Sequence, residues 1–149
     1  MQDVKKTFCH NGVNYPLVFN LNVMERIQQE YGSVELWGDY TDGTFYGKQS
    51  YEKINGLGSW DELSEKEQKK HKGEPDAKSI VFGFTEMINE GLDMENEELL
   101  IKGQEPRQLL SIKQVGRIIT AIGLDFATQK LNETVIASQK IENEETKNE

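Results

Sequence analysis

GEPDAKSIVFGFTEMINEG, residues 73–91, decides the fold class. Pro75 fits the first turn of a helix because its missing N–H is not needed there, and Asp76 offers a carboxylate to the unpaired amides that follow. Ala77, Ile80, Val81, Phe84, Met87 and Ile88 then recur three and four residues apart, which places them on one face of a 3.6-residue period. The pattern predicts a core helix ending at Gly91. A chain organised on such a helix is mainly α.

Downstream, Glu86 to Glu105 carries seven acids against Lys102 alone, which predicts a solvent-facing stretch. Ser111 and Gln114 have the spacing of a capping box and lead into Val115, Ile118, Ile119 and Ile122 before Gly123, a second amphipathic helix. A last helix is expected from Asp125 to Ser138, with Phe126, Leu131 and Val135 on one side. Residues 139–149, ending in KIENEETKNE, hold too few apolar side chains to offset the entropy of ordering and are expected to form a disordered acidic tail.

Upstream, Thr7–His10 and Val13–Phe19 flank Asn11-Gly12, the dipeptide that best supplies the positive φ angles of a tight hairpin turn. A β-hairpin follows, with Pro16 restricted to an edge because it has no ladder N–H. Asn22 and Glu25 have capping-box side chains, Met24, Ile27 and Tyr31 continue at helical spacing, and Gly32 is a natural stop. Ser33 can cap a short helix with Val34, Leu36 and Trp37 that ends near Gly38. Residues 38–73 differ in texture. Glycines at 43, 47, 56 and 58 interrupt them, and a helix capped at Ser59 and running to Lys72 would have almost no apolar face. This interval is expected to be an irregular excursion, ordered only in part, from a single helical domain over 1–138.

Composition narrows the function. The 149 residues carry 26 acids against 17 bases, a formal net charge of -9 that would repel a phosphate backbone, so nucleic acid is not an expected partner. The one cysteine, Cys9, has no internal disulfide partner, which fits a reducing compartment. No run is apolar enough for a signal peptide or a membrane span, so the expectation is a cytoplasmic protein with no membrane partner.

Motifs that carry chemistry are sparse. Cys9, His10 and His71 are the only soft or borderline metal ligands, and Cys9 and His10, adjacent on a strand, point to opposite faces. No metal and no cofactor is expected. Gly43 to Lys48 superficially resembles a phosphate loop, yet it has three residues between its glycines rather than four, and Gln49 stands where a magnesium-binding hydroxyl belongs. Helices 111–122 and 125–138 could be read as a helix-turn-helix, but the second offers Gln129 and Lys130 beside Asp125 and Glu133, a poor base-reading set. No catalytic residue is assigned, and the expectation is a protein that is not an enzyme.

Three segments carry a resemblance: TFCHNGVNYPLVFNLNVMERIQQEYGSVELWG (7–38), GEPDAKSIVFGFTEMINEGLDMENEE (73–98) and LLSIKQVGRIITAIGLDFATQKLNETVIAS (109–138). Together they resemble the tail assembly chaperones of long-tailed phages and prophages of Gram-positive bacteria. The resemblance implies a mostly helical, non-catalytic protein of the host cytoplasm that binds the tape-measure protein and keeps it soluble. It further implies a protein that is shed as tail-tube protein polymerises, is absent from the mature virion, and tends to form homo-oligomers. The 38–73 excursion departs from the family pattern, in which the first helices run sooner into the GEPDAK-like helix.

A holdase needs exchangeable apolar surface together with like charge that keeps it dissolved. Trp37, Tyr40, Phe45, Tyr46 and Trp60 are the candidate protein-binding residues, because they lie in or beside the excursion and aromatic side chains dominate interface energetics. The same five residues could instead pin the excursion to the core. Met24, Ile27, Phe84, Ile88, Ile118 and Ile119 are expected in the core. Two rival functions remain: a small structural component of a phage tail or neck, and a small nucleic-acid-binding regulator.

Overall fold

The computed structural model describes the backbone of residues 4–148 and the side chains of residues 5–139. The elements run β1 (Val4–His10), β2 (Val13–Phe19), α1 (Leu21–Tyr31), α2 (Val34–Thr41), α3 (Thr44–Asn55), a 3-10 turn (Ser59–Glu62), α4 (Glu65–Lys70), α5 (Ala77–Ile101), α6 (Ile112–Ile122) and α7 (Leu124–Asn148). The chain is mainly helical with an N-terminal hairpin, as its periodicity predicts. The tail expected to be disordered, residues 139–149, lies outside the described side chains beyond Gln139. The chain divides into two compact units, Met1–Arg26 with Val81–Glu149, and Ile27–Ile80.

In the first unit, β1 and β2 pair antiparallel from Val4 opposite Phe19 to His10 opposite Val13. Asn11 and Gly12 both take positive φ, 51° and 75°, which supplies the turn conformation that two-residue hairpins need. Phe8 stacks across the strands on Tyr15 at 5.3 Å and meets Phe84 of α5 at the same distance. Pro16 pairs with Thr7, and each strand of this two-stranded sheet has an outer edge that tolerates a residue without an N–H. Both α7 and the hairpin strands are neighbours, and α6 packs on α7. Leu17, Phe19, Phe84, Met87, Val115 and Leu131 close the core with no appreciable exposure.

Two expected helix boundaries are corrected. Asn20, not Asn22, caps α1: its Oδ1 accepts from the amides of Asn22 and Val23 at 3.1 and 3.2 Å, while Asn22 reaches from the first turn to Glu90. Gly91 does not end α5, which continues to Ile101. A Cβ on Gly91 would lie 2.7 Å from both Cβ and Cγ of Pro16, so this glycine is a place of close approach rather than a stop. The stop is Gly103, at φ 72°: its amide bonds Leu100 O at 3.0 Å and that of Gln104 bonds Leu99 O at 2.8 Å, a Schellman cap.

The acidic stretch is not uniformly solvent-facing. Glu95 pairs with Lys5 at 2.9 Å and with Arg107 at 3.3 Å. Two asparagines of α5 grip the segment that leads to α6, each through both of its amide atoms. Asn96 holds the N–H and C=O of Arg107, and Asn89 those of Leu110, at 2.8–2.9 Å. Ser111 and Gln114 then form the expected capping box, and Gly123 ends α6.

In the second unit, Ser33 caps α2 as expected, and the helix passes Gly38 to end at Thr41. Residues 38–73, expected to be irregular, carry α3, the 3-10 turn and α4. Ser64 rather than Ser59 caps α4, through the amide of Glu67 at 3.2 Å, and α4 buries none of its residues. The packed side of α3 is made of glycine and aromatic residues rather than an aliphatic stripe, so period counting does not register it.

In a helix interior Gly→Ala ordinarily stabilises, by roughly 0.5–1 kcal/mol. Gly91→Ala is expected to reverse that sign and cost about 1–3 kcal/mol, because the rigid Pro16 ring leaves no room. Urea unfolding of the two proteins checks this.

Candidate functional site

The five candidate aromatic residues fall into two groups. Trp37 and Trp60 are turned inward, 2% and 4% exposed. The indole N–H of Trp37 donates to the carbonyl of Ser79 at 3.0 Å, so its polar edge is satisfied where it is buried. Trp60 packs edge-on against Tyr51 of α3 at 6.1 Å. Its carbonyl accepts from Gln68 of α4 at 3.1 Å, and the Glu52 carboxylate accepts from the amide of Gly58 at 2.8 Å. These two tryptophans hold the second unit together.

Tyr40, Phe45 and Tyr46 form one cluster at the junction of α2 and α3. Phe45 stacks on Tyr40 with ring centroids 4.2 Å apart, and Tyr46 stands edge-on to Phe45 at 5.5 Å and to Tyr40 at 6.0 Å. Tyr31 of α1 joins them at 5.7 Å from Tyr40. Burial pushes the Tyr31 hydroxyl above its usual range, against a hydrogen bond with Ser79 that lowers it. Tyr46 is the most open of the cluster, 36% exposed, with its hydroxyl donating to Asp76 at 3.2 Å.

The glycines that mimic a phosphate loop have a packing role. A Cβ on Gly43 would meet the carbonyl of Gly73, and one on Gly47 would collide with that of His71 and lie 2.8 Å from the amide of Gly73. The amide of Gly73 bonds the Gly43 carbonyl at 2.9 Å. Backbone is laid directly on backbone, and this fixes α3 where its aromatic residues meet those of α2.

Beside the cluster, α2 and α3 enclose an open groove of about 320 Å³ lined by Leu36, Asp39, Thr44, Phe45, Lys48 and Glu52 among others. Burial raises the Asp39 carboxyl above the usual carboxylate range, Asp42 and Glu35 add to the rise, and Lys48 and Lys72 oppose it. Asp42 is already engaged: one oxygen caps the amide of Thr44 at 2.9 Å and the other pairs with Lys72 at 3.2 Å.

Other apolar surface lies at helix ends. Ile54 and Leu57, around the C-terminus of α3, are 84% and 98% exposed. Ile101, in the last turn of α5, is 86% exposed, and Leu100 beside it is also open. Sequence reasoning missed these residues and the groove residues Leu36 and Asp39. A signal was present at the helix ends, where Ile54 and Leu57 flank Gly56, and Leu99 to Ile101 precede Gly103.

In the helix pair that could be read as a DNA-binding motif, α7 turns Ala127 and Leu131 inward, and Lys130 is paired with Glu133 at 3.7 Å. Cys9 is exposed. Among the described residues no group of three or more His, Cys, Asp or Glu is placed to hold a metal ion, and no helix is long and apolar enough to cross a membrane. Comparison with family models, curated proteins and solved structures finds no match to this chain.

Gly47→Ala is expected to cost about 1–3 kcal/mol in urea unfolding, because the obstructing atoms are backbone and cannot swing aside. Asp39→Asn is expected to stabilise. A carboxyl whose folded pKa is raised binds its proton more tightly in the native state than in the unfolded chain. Above that raised value the ionised group therefore costs stability, and the cost vanishes as pH falls through it toward the ordinary carboxylate range. The variant's thermal midpoint should exceed that of the parent at neutral pH, and the two should converge in mild acid.

Proposed function

We propose that this protein is a phage tail assembly chaperone, a non-catalytic holdase of the host cytoplasm that binds the tape-measure protein before tail-tube protein polymerises around it. The observation that carries the proposal is the exposure of large aliphatic side chains at the ends of α3 and α5, at Ile54, Leu57, Leu100 and Ile101. Side chains of this size gain roughly 1.5–3 kcal/mol each when fully removed from water, so a client with apolar helical stripes has a reason to settle on them. The resemblance of the three segments supplies the identity of that client.

The acidic balance supports the same function. A protein that leaves aliphatic surface open at one place risks sticking to its own copies, and a net charge of -9 adds long-range repulsion between them. Open surface and surplus charge together let a client be held and later surrendered. Helix ends suit this use, because side chains in the last turn can move without disturbing a core.

Co-expression with the tape-measure protein tests the proposal. The client is expected in the soluble fraction and in complex with this chain, and a fourfold variant with Ser at positions 54, 57, 100 and 101 should lose both effects while remaining folded. A client that is equally soluble alone and never co-purifies refutes the chaperone. Recovery of this chain from purified mature particles would instead identify a structural component of the tail or neck.

A further inference from the structure

We propose that the groove between α2 and α3 is a docking site for a helical segment that inserts a large apolar side chain against Leu36 and Phe45 and places a Lys or Arg against Asp39. This rests on the client-binding function and deepens it by naming the chemistry of the bound segment.

The apolar half of the site is rigid before anything binds. Phe45 is backed by the Tyr40 ring at 4.2 Å and flanked by Tyr46, so one of its faces is occupied by the cluster while the residue also lines the groove. An ordered aromatic wall loses little freedom when a ligand packs on it, which favours binding. The groove lies between two helices, and such channels accept the apolar face of a third. Its volume of about 320 Å³ is at the small end of ligand cavities, and its open form suits side chains entering from a partner's surface.

The charged half selects the sign of the partner. Asp39 and Glu52 line the groove, and Glu35 and Asp42 are close enough to act on Asp39, whereas Lys48 is the one base in the lining. Glu52 is occupied by the amides of Gly58 and Trp60, and Asp42 by Lys72 and the amide of Thr44. Asp39 forms no salt bridge among the described residues. It is a partly buried carboxylate among like charges, and the opposing bases do not cancel the resulting rise in its proton affinity. A cation delivered by a partner would relieve that unfavourable charge, whereas an acidic segment would increase it. An apolar side chain with a base one helical turn away satisfies both halves at once.

The probe is a synthetic amphipathic helix of Leu and Lys, with two controls: Glu replacing Lys, and Ser replacing Leu. Titration calorimetry and amide chemical shifts are read on the full chain. The Leu/Lys peptide is expected to bind with its largest shifts at Leu36, Asp39, Phe45 and Gln49, and neither control should match it. Asp39→Asn should weaken binding roughly tenfold without lowering the thermal midpoint. Glu97→Gln, which removes the same charge from an exposed position on α5, should leave affinity within about twofold. Because Phe45→Ser could unfold the cluster, Asp39→Lys serves as the second groove variant and should abolish the shifts at Leu36 and Phe45.

Equal weakening by Glu97→Gln and Asp39→Asn, shifts centred elsewhere, or equal binding of the Leu/Glu peptide would overturn the groove. If Asp39→Lys still keeps the co-expressed tape-measure protein soluble, the groove is overturned as the client site and the chaperone stands. If the parent chain never holds that client yet seats the Leu/Lys peptide at Asp39, the groove stands and the chaperone falls.

Discussion

In the first unit α5 and β2 approach so closely that no side chain fits between Gly91 and Pro16. The chain meets this limit with a glycine on the helix and a compact ring on the strand, and much else follows from that contact. With the two elements in direct contact, Phe84 reaches Phe8 and Phe19 is sealed from water. The helix can then run on to Ile101, and Glu95 and Asn96 on that extension, with Asn89 just before Gly91, anchor the segment that leads to α6. A Cβ here would push the helix away and weaken every contact on that face, since packed interiors do not absorb such volume without strain.

The second unit solves a similar problem with the same residue type. Gly43, Gly47 and Gly73 allow the start of α3 to lie on the backbone of residues 71–73, and this seats Phe45 on Tyr40. The outcome is a small unit in which aromatic rings and main chain supply the contacts around α3, while Ile27 and Ile80 are also sealed from water. It can therefore leave Ile54 and Leu57 in water without losing its core, because Trp37 and Trp60 already fill it.

Both units combine an internally satisfied core with aliphatic side chains left open at helix ends, and the chain carries a surplus of negative charge. Exposed apolar surface without charge invites aggregation, and charge without apolar surface offers a client nothing to hold. Asp39 adds local selectivity to this general condition, since a carboxylate that forms no salt bridge among the described residues, beside an aromatic wall, favours one kind of segment over another. Sites of this type commonly reduce the stability of the free protein, and the raised proton affinity of Asp39 is a local expression of that trade.

How much was legible in the sequence varies by element. The periodicity of residues 77–88, the Asn11-Gly12 turn and the Ser111–Gln114 box each act over a few residues, so local sequence determined the core helix, the hairpin and the start of α6. Net charge and the scarcity of soft ligands are likewise properties of composition. The role of a glycine was not local. Gly91 reads as a stop and Gly43 to Gly47 as a phosphate loop until the backbone that lies against them is known, and Gly103 becomes the true stop only through its cap geometry. The five aromatic candidates could not be sorted by sequence for the same reason: Trp37 and Trp60 are buried by partners 42 residues away in the chain and 8 residues away, respectively, while Tyr46 stays open. Local pattern states which side chains tend to leave water. Only the tertiary structure decides which of them find room to do so, because that depends on how closely distant stretches of backbone can approach.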